Sequence, residues 1–136
     1  MGATHLLDTS AYSQPLRRRP LEAVCRRWQS LGDRRLCISV ICHAELLQGI
    51  ELARSPKLRR AYERILAGRL PILNVDPLVA ETYARLAAQM TARGLPRPAF
   101  DLLIAATAKV HGLVVATCNY KDFEPIEGVA VEDWSR

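Results

Sequence analysis

No stretch of the sequence approaches the roughly 18 apolar residues in a row that a membrane-spanning helix needs, so no such helix is expected. The opening residues, Met1 to Asp8, reach an acid almost at once and do not read as a secretory signal. None of the four cysteines (Cys25, Cys37, Cys42 and Cys118) is spaced from another by the two residues of a zinc knuckle. Each stands in apolar surroundings, which predicts buried free thiols in a reduced, cytoplasmic protein without disulfides or zinc. No repeat, low-complexity tract or linker interrupts the chain. A glycine-rich phosphate loop is missing, and so is any Ser–His–Asp arrangement. His5, His43 and His111 fall in a strand, at a helix start and at a helix end, which excludes a paired-histidine ribonuclease.

What is present is a chain of 136 residues, 49% hydrophobic and 24% charged. Those values fit one globular domain over 1–136 and exclude disorder. Short apolar runs predict strands over 5–7, 36–40, 70–75, 113–117 and 128–131. Helical patterns lie over 21–31, 41–54, 57–67, 77–93 and 98–111. Asp76 and Pro77 form a start signal, and Gly94 a stop. Val79, Tyr83, Leu86 and Met90 step along one face. The last helix is apolar nearly all round, from Phe100 to Ala106, and reads as buried. Strands alternating with helices predict an α/β fold, a three-layer α/β/α sandwich on a five-stranded parallel sheet. Function in such folds gathers at the carboxyl ends of the strands.

Four acids fall at that edge. Asp8 ends the first strand, and Glu45 follows the second by two turns or less. Asp101 opens the helix that feeds the fourth strand, and Asp122 follows that strand. Asp8 and Asp101 interrupt apolar runs, where an unpaired carboxylate is costly. A helix-terminal acid held by the macrodipole explains one of them, but not four at one edge. Bound Mg²⁺ or Mn²⁺ does, since hard cations take carboxylate oxygen. Gly49, one turn after Glu45, leaves open space beside it. Thr9, Ser10, Thr117 and Asn119 flank the acids. They fit either as props for carboxylates and bound water or as ordinary caps and turns.

The positive charge is concentrated. Residues 17–35 carry seven arginines, Arg17, Arg18 and Arg19 among them, against two acids, a surplus equal to the net charge of +5. This reads either as a solvated helix face or as a surface that tracks RNA phosphates. Trp28 is read either as core or as a base-stacking ring.

LLDTSAYS, the acid in ISVICHAELLQGI, and GLPRPAFDLLIAATAKVHGLVVATCNYKDF together resemble the PIN domain, and within it the VapC-type toxins of bacterial toxin–antitoxin pairs. The resemblance runs from Leu6 to about Val131. It implies a Mg²⁺-dependent endoribonuclease that leaves a 5′-phosphate and a 3′-hydroxyl. Asp8, Glu45 and Asp101 match the family's regular acids, with Asp8 and Asp101 as direct metal ligands. The fourth position falls on Asp122 or Asn119. The resemblance also implies a homodimer and a small inhibitory antitoxin. A groove between the helices at 41–54 and 57–67, with Leu46, Leu47, Ile50 and Leu58, offers an amphipathic partner helix a seat. Two other readings remain open. One is a phosphatase or receiver-like domain, for which Ser10 stands where a phosphatase has a second Asp and Lys121 follows a late strand. The other is a catalytically silent RNA-binding module.

Overall fold

A computed structural model of the chain describes residues 2–136. Its strands are β1 (His5–Leu7), β2 (Leu36–Ser39), β3 (Ile72–Leu73), β4 (Val114–Thr117) and β5 (Val131–Asp133). All pair in parallel, in the order β3-β2-β1-β4-β5. Helices α1 (Thr9–Tyr12), α2 (Glu22–Leu31), α3 (Val40–Ala53), α4 (Pro56–Ile65), α5 (Pro77–Ala92), α6 (Ala99–His111) and α7 (Tyr120–Phe123) flank the sheet. This is the expected three-layer sandwich. The strand order is not the 2-1-3-4-5 of receiver-like domains, which removes that alternative.

Local chemistry sets the helix ends. Ser39, Ser55 and Asp76 each accept a backbone N–H in the first turn of α3, α4 and α5, at 3.0, 3.1 and 2.9 Å. Pro56 and Pro77 occupy first-turn positions, where their missing N–H costs nothing. Gly112 closes α6 in the left-handed region at φ +65°, and Leu113 N–H returns to the Ala108 carbonyl.

The core runs along both faces of β1, β2 and β4, with Leu6, Leu7, Leu36, Ile38, Val115 and Ala116 fully buried. Several expectations need correction. The last strand lies over Val131–Asp133, not 128–131, because Gly128 turns at φ +77° beside Lys109. The shift carries Trp134 into the core. β3 shrinks to two residues, and Val40 leaves β2 to begin α3. Phe100 is 45% exposed, so the first turn of α6 reaches solvent. On α5 it is Thr82, beside the expected stripe, that is buried, while Tyr83 is only partly covered. Cys37 and Cys42 are buried free thiols, but Cys25 is exposed. No helix among the described residues is long and apolar enough to cross a membrane.

Candidate active site at the carboxyl edge of the sheet

The strand order reverses between β1 and β4, and Asp8 stands at that switch point. It is 5% exposed and caps α1. Its Oδ1 accepts the Ala11 N–H at 3.0 Å and the Ser10 hydroxyl at 2.6 Å. Its Oδ2 accepts the Thr117 hydroxyl at 2.5 Å. A carboxylate has about four acceptor positions, so one on Oδ2 stays open. Desolvation pushes the Asp8 carboxyl above its ordinary range despite these donors, and the charge of Glu45 adds to the rise.

Glu45 projects from α3, and its Oε1 accepts the Thr9 hydroxyl at 2.6 Å. Asp101 lies in the first turn of α6 and is half-buried. Its carboxyl is pushed up to about 6, first by burial, then by the charges of Asp122, Glu45 and Asp8. Asp122 sits exposed on α7. The structure thus brings the other three acids within electrostatic reach of Asp101. Among the described residues no three of them close into a cage. The chain offers a partial shell of hard oxygen donors, which suits a cation that keeps several waters, as Mg²⁺ does.

The hydroxyls work as props. Thr117 holds Asp8, and its oxygen also accepts the Asn119 N–H at 2.8 Å. Thr9 holds Glu45. Ser10 both donates to Asp8 and accepts the Cys118 N–H at 2.9 Å, tying β1 to β4. The Asn119 side chain makes no capping bond and is exposed. Thr117→Val should cost about 1–3 kcal/mol, because a buried carboxylate loses a donor without losing volume. Since Asp8 binds its proton more tightly folded than unfolded, the loss should be larger at pH 8 than at pH 4. Equal denaturation midpoints for variant and parent at pH 8 would contradict this.

Two further residues escaped the sequence reading. Arg97, four residues before Asp101, is a cation whose charge lowers the Asp101 carboxyl. Its Nε is buried with no hydrogen-bond partner. Asp133 pairs in register with Thr117 at the end of β5. The PRPAFD spacing carried a signal for the first; the misplaced last strand hid the second.

The arginine surplus does not form one surface. Arg17, Arg18 and Arg19 are exposed and line a groove of about 1090 Å³ together with Thr9, Glu45 and Gly49. Arg34 and Arg35 precede β2, at the opposite edge of the sheet. Arg27 donates to the Arg136 carbonyl at 2.7 Å. Trp28 is core: it is 5% exposed, stacks on Tyr12 at 6.3 Å, lies under Arg69 and donates to Asp33. Leu46, Ile50 and Leu58 line the same groove as Arg17–Arg19, whereas Leu47 packs against the core instead.

The PIN domain model matches residues 5–128. The chain is 33% identical over 129 residues to a tRNA(fMet)-specific endonuclease VapC of Salmonella typhimurium, covering 95% of this chain and 96% of that protein. It superposes on a chain in a crystal structure of DNA-bound VapBC from Salmonella typhimurium with a TM-score of 0.84 and 31% identity, over 97% of this chain and 98% of that one. FitAcB from Neisseria gonorrhoeae gives a TM-score of 0.87 and 34% identity, over 96% and 98%. With its acids at the switch point of the same sheet, the chain belongs to the PIN-domain family, among the VapC proteins.

Proposed function

We propose that this chain, acting as one nuclease domain, is a divalent-metal-dependent endoribonuclease and the toxin of a VapBC-type pair, working in the cytoplasm. The observation that carries the reading is the crowding of Asp101 by three other acids at the sheet's carboxyl edge, whose charges add to burial in raising its carboxyl to about 6. Such mutual repulsion is relieved by a bound cation.

Asp8 and Asp101 are the residues that would hold Mg²⁺ or Mn²⁺, through the open Oδ2 position of Asp8 and the unbonded carboxylate of Asp101. When bound, the ion supplies a Lewis acid that lowers the pKa of water and offsets charge on the phosphate. Glu45, steadied by Thr9, and Asp122 orient water at the edge of this shell; Asn119 is the neutral alternative beside Asp122. Arg17, Arg18 and Arg19 hold RNA phosphates in the adjoining groove.

Purified protein incubated with total RNA should cleave it in Mg²⁺ and not in EDTA, leaving 5′-phosphate ends on mapping. Cleavage undiminished in EDTA would overturn the reading. Replacing Arg17, Arg18 and Arg19 by Ala should weaken RNA binding and lower the slope of log affinity against log salt by about one per lost phosphate contact. An unchanged slope would return these arginines to a solvated surface.

The partner follows from the same groove. The Salmonella typhimurium and Neisseria gonorrhoeae structures are of VapBC and FitAcB assemblies. By analogy, an amphipathic partner helix lays apolar side chains on Leu46, Ile50 and Leu58, and a basic side chain at its end meets Glu45 and the acids beyond. The homodimer belongs to this proposal and is checked by sedimentation of the purified chain.

A further inference from the structure

A second cleft opens between the carboxyl ends of β4 and β5, on the far side of Asp8 from the Arg17–Arg19 groove. It encloses about 350 Å³ and is lined in part by Asn119, Tyr120, Lys121, Asp122, Asp133 and Arg136. That volume is near the lower end for small-ligand sites, about 300–1,000 Å³. Its lining combines an aromatic ring, an amide, two cations and two carboxylates. Tyr120 is 39% exposed and its ring pairs with no other aromatic among the described residues. The Asn119 amide does not cap α7, so its donor and acceptor are free. Lys121 enters no salt bridge among the described residues. Arg136 touches Asp133 through Nε alone, at 3.3 Å, which leaves the rest of its fork available. Asp133 is itself fixed by the Ser135 N–H and hydroxyl, at 2.9 and 2.6 Å.

We propose that this cleft is a nucleotide subsite that seats one RNA base beside the scissile phosphate, stacked on Tyr120 and read by Asn119, with Lys121 and Arg136 on the flanking phosphates. The inference rests on the ribonuclease reading and adds a determinant of cleavage preference to it. Asp122 lies at once in this cleft and within electrostatic reach of Asp101. An RNA strand held by Arg17–Arg19 on one side would therefore cross the acids and end in the cleft. Stacking on an aromatic tolerates any base, whereas the Asn119 amide discriminates among base edges.

The test compares the parent with Tyr120→Phe, Tyr120→Ala and Lys121→Gln. Binding of a labelled single-stranded oligoribonucleotide is followed by anisotropy in EDTA, and cleavage sites are mapped in Mg²⁺. Tyr120→Ala should weaken binding about tenfold, raise KM far more than it lowers kcat, and relax the base preference next to the cut, because an unstacked base is no longer held against Asn119. Tyr120→Phe should keep all three. Lys121→Gln should lower the salt slope by about one, a readout that stands even if Tyr120→Ala does not fold. Parental affinity and an unchanged map in Tyr120→Ala, or an unchanged slope in Lys121→Gln, in a chain that cuts RNA would overturn the subsite alone. A parent that neither binds nor cuts RNA would overturn the ribonuclease reading, and the subsite with it.

Discussion

Asp101→Asn should abolish metal-dependent RNA cleavage, lowering kcat/KM by roughly a hundred- to a thousandfold, while the fold survives. The amide has nearly the same shape but lacks the charge that holds a hard cation. Losses of this size are typical where a group acts on charge built up in the transition state. The same change should make the metal-free protein more stable at neutral pH. Asp101 binds its proton more tightly in the folded chain, near 6, than in the unfolded chain, near 3.8. Stability therefore falls as pH rises through that window, and stays lowered above it. Asn removes the penalty. Because the group is only half-buried, solvent screening reduces the gain to on the order of 1 kcal/mol, roughly 3–5 °C in melting temperature. Variant and parent should melt alike near pH 4 and diverge by pH 7. Added Mg²⁺ should raise the parent's melting point and leave the variant's unchanged. Parental cleavage by the variant at limiting Mg²⁺ would remove Asp101 from the site. An identical stability difference at both pH values would remove the penalty on the charged Asp101 carboxylate.

Asp8 and Asp101 were legible in the sequence because each breaks an apolar run, LLD and AFDLLIAA. A charge there has to be accounted for. Glu45 and Asp122 had no such contrast, and only the strand order places them. The helix ends were legible where a capping side chain or a glycine marks them, as at the Asp76 start and the Gly112 stop. Four-residue helices such as α1 and α7 leave no periodicity to read, yet both begin in the hydroxyl and acid network of the site. β5 was misplaced because Val131, Glu132 and Asp133 are only partly buried and look unlike a core strand. Its register comes from tertiary contacts, with His5 bonded to Glu132 at 3.0 Å and Trp134 buried behind it. The arginine cluster shows the converse failure. Neighbours in sequence were parted by the chain's course, since Arg17–Arg19 lie at the acid edge and Arg34–Arg35 at the other.

Leu58→Gln should release the chain from its antitoxin-type partner, loosening the complex about a hundredfold, while cleavage by the free chain stays within about twofold of the parent. Leu58 is partly buried on α4 and lines the groove that Leu46 and Ile50 floor. A buried aliphatic anchor at the centre of an interface is the kind of contact whose loss costs about 2–3 kcal/mol, or two decades in affinity. Glutamine keeps the size and adds no charge beside Arg17–Arg19, so RNA binding is spared. The RNA and partner sites proposed above share this groove, so RNA and partner should exclude each other. Partner helix should thus displace a labelled oligoribonucleotide from the parent, with a midpoint that moves about a hundredfold in Leu58→Gln. In the proposed complex, the basic side chain facing Glu45 and the acids should add the block on catalysis. Changing it to Gln in the partner should leave a complex that still forms through Leu58 but no longer shuts off cleavage completely. Co-expression with any small reading frame adjacent to this one tests for the partner. Equal affinity of parent and Leu58→Gln for it would move the interface away from this groove and leave the acids at the sheet edge as the site of cleavage.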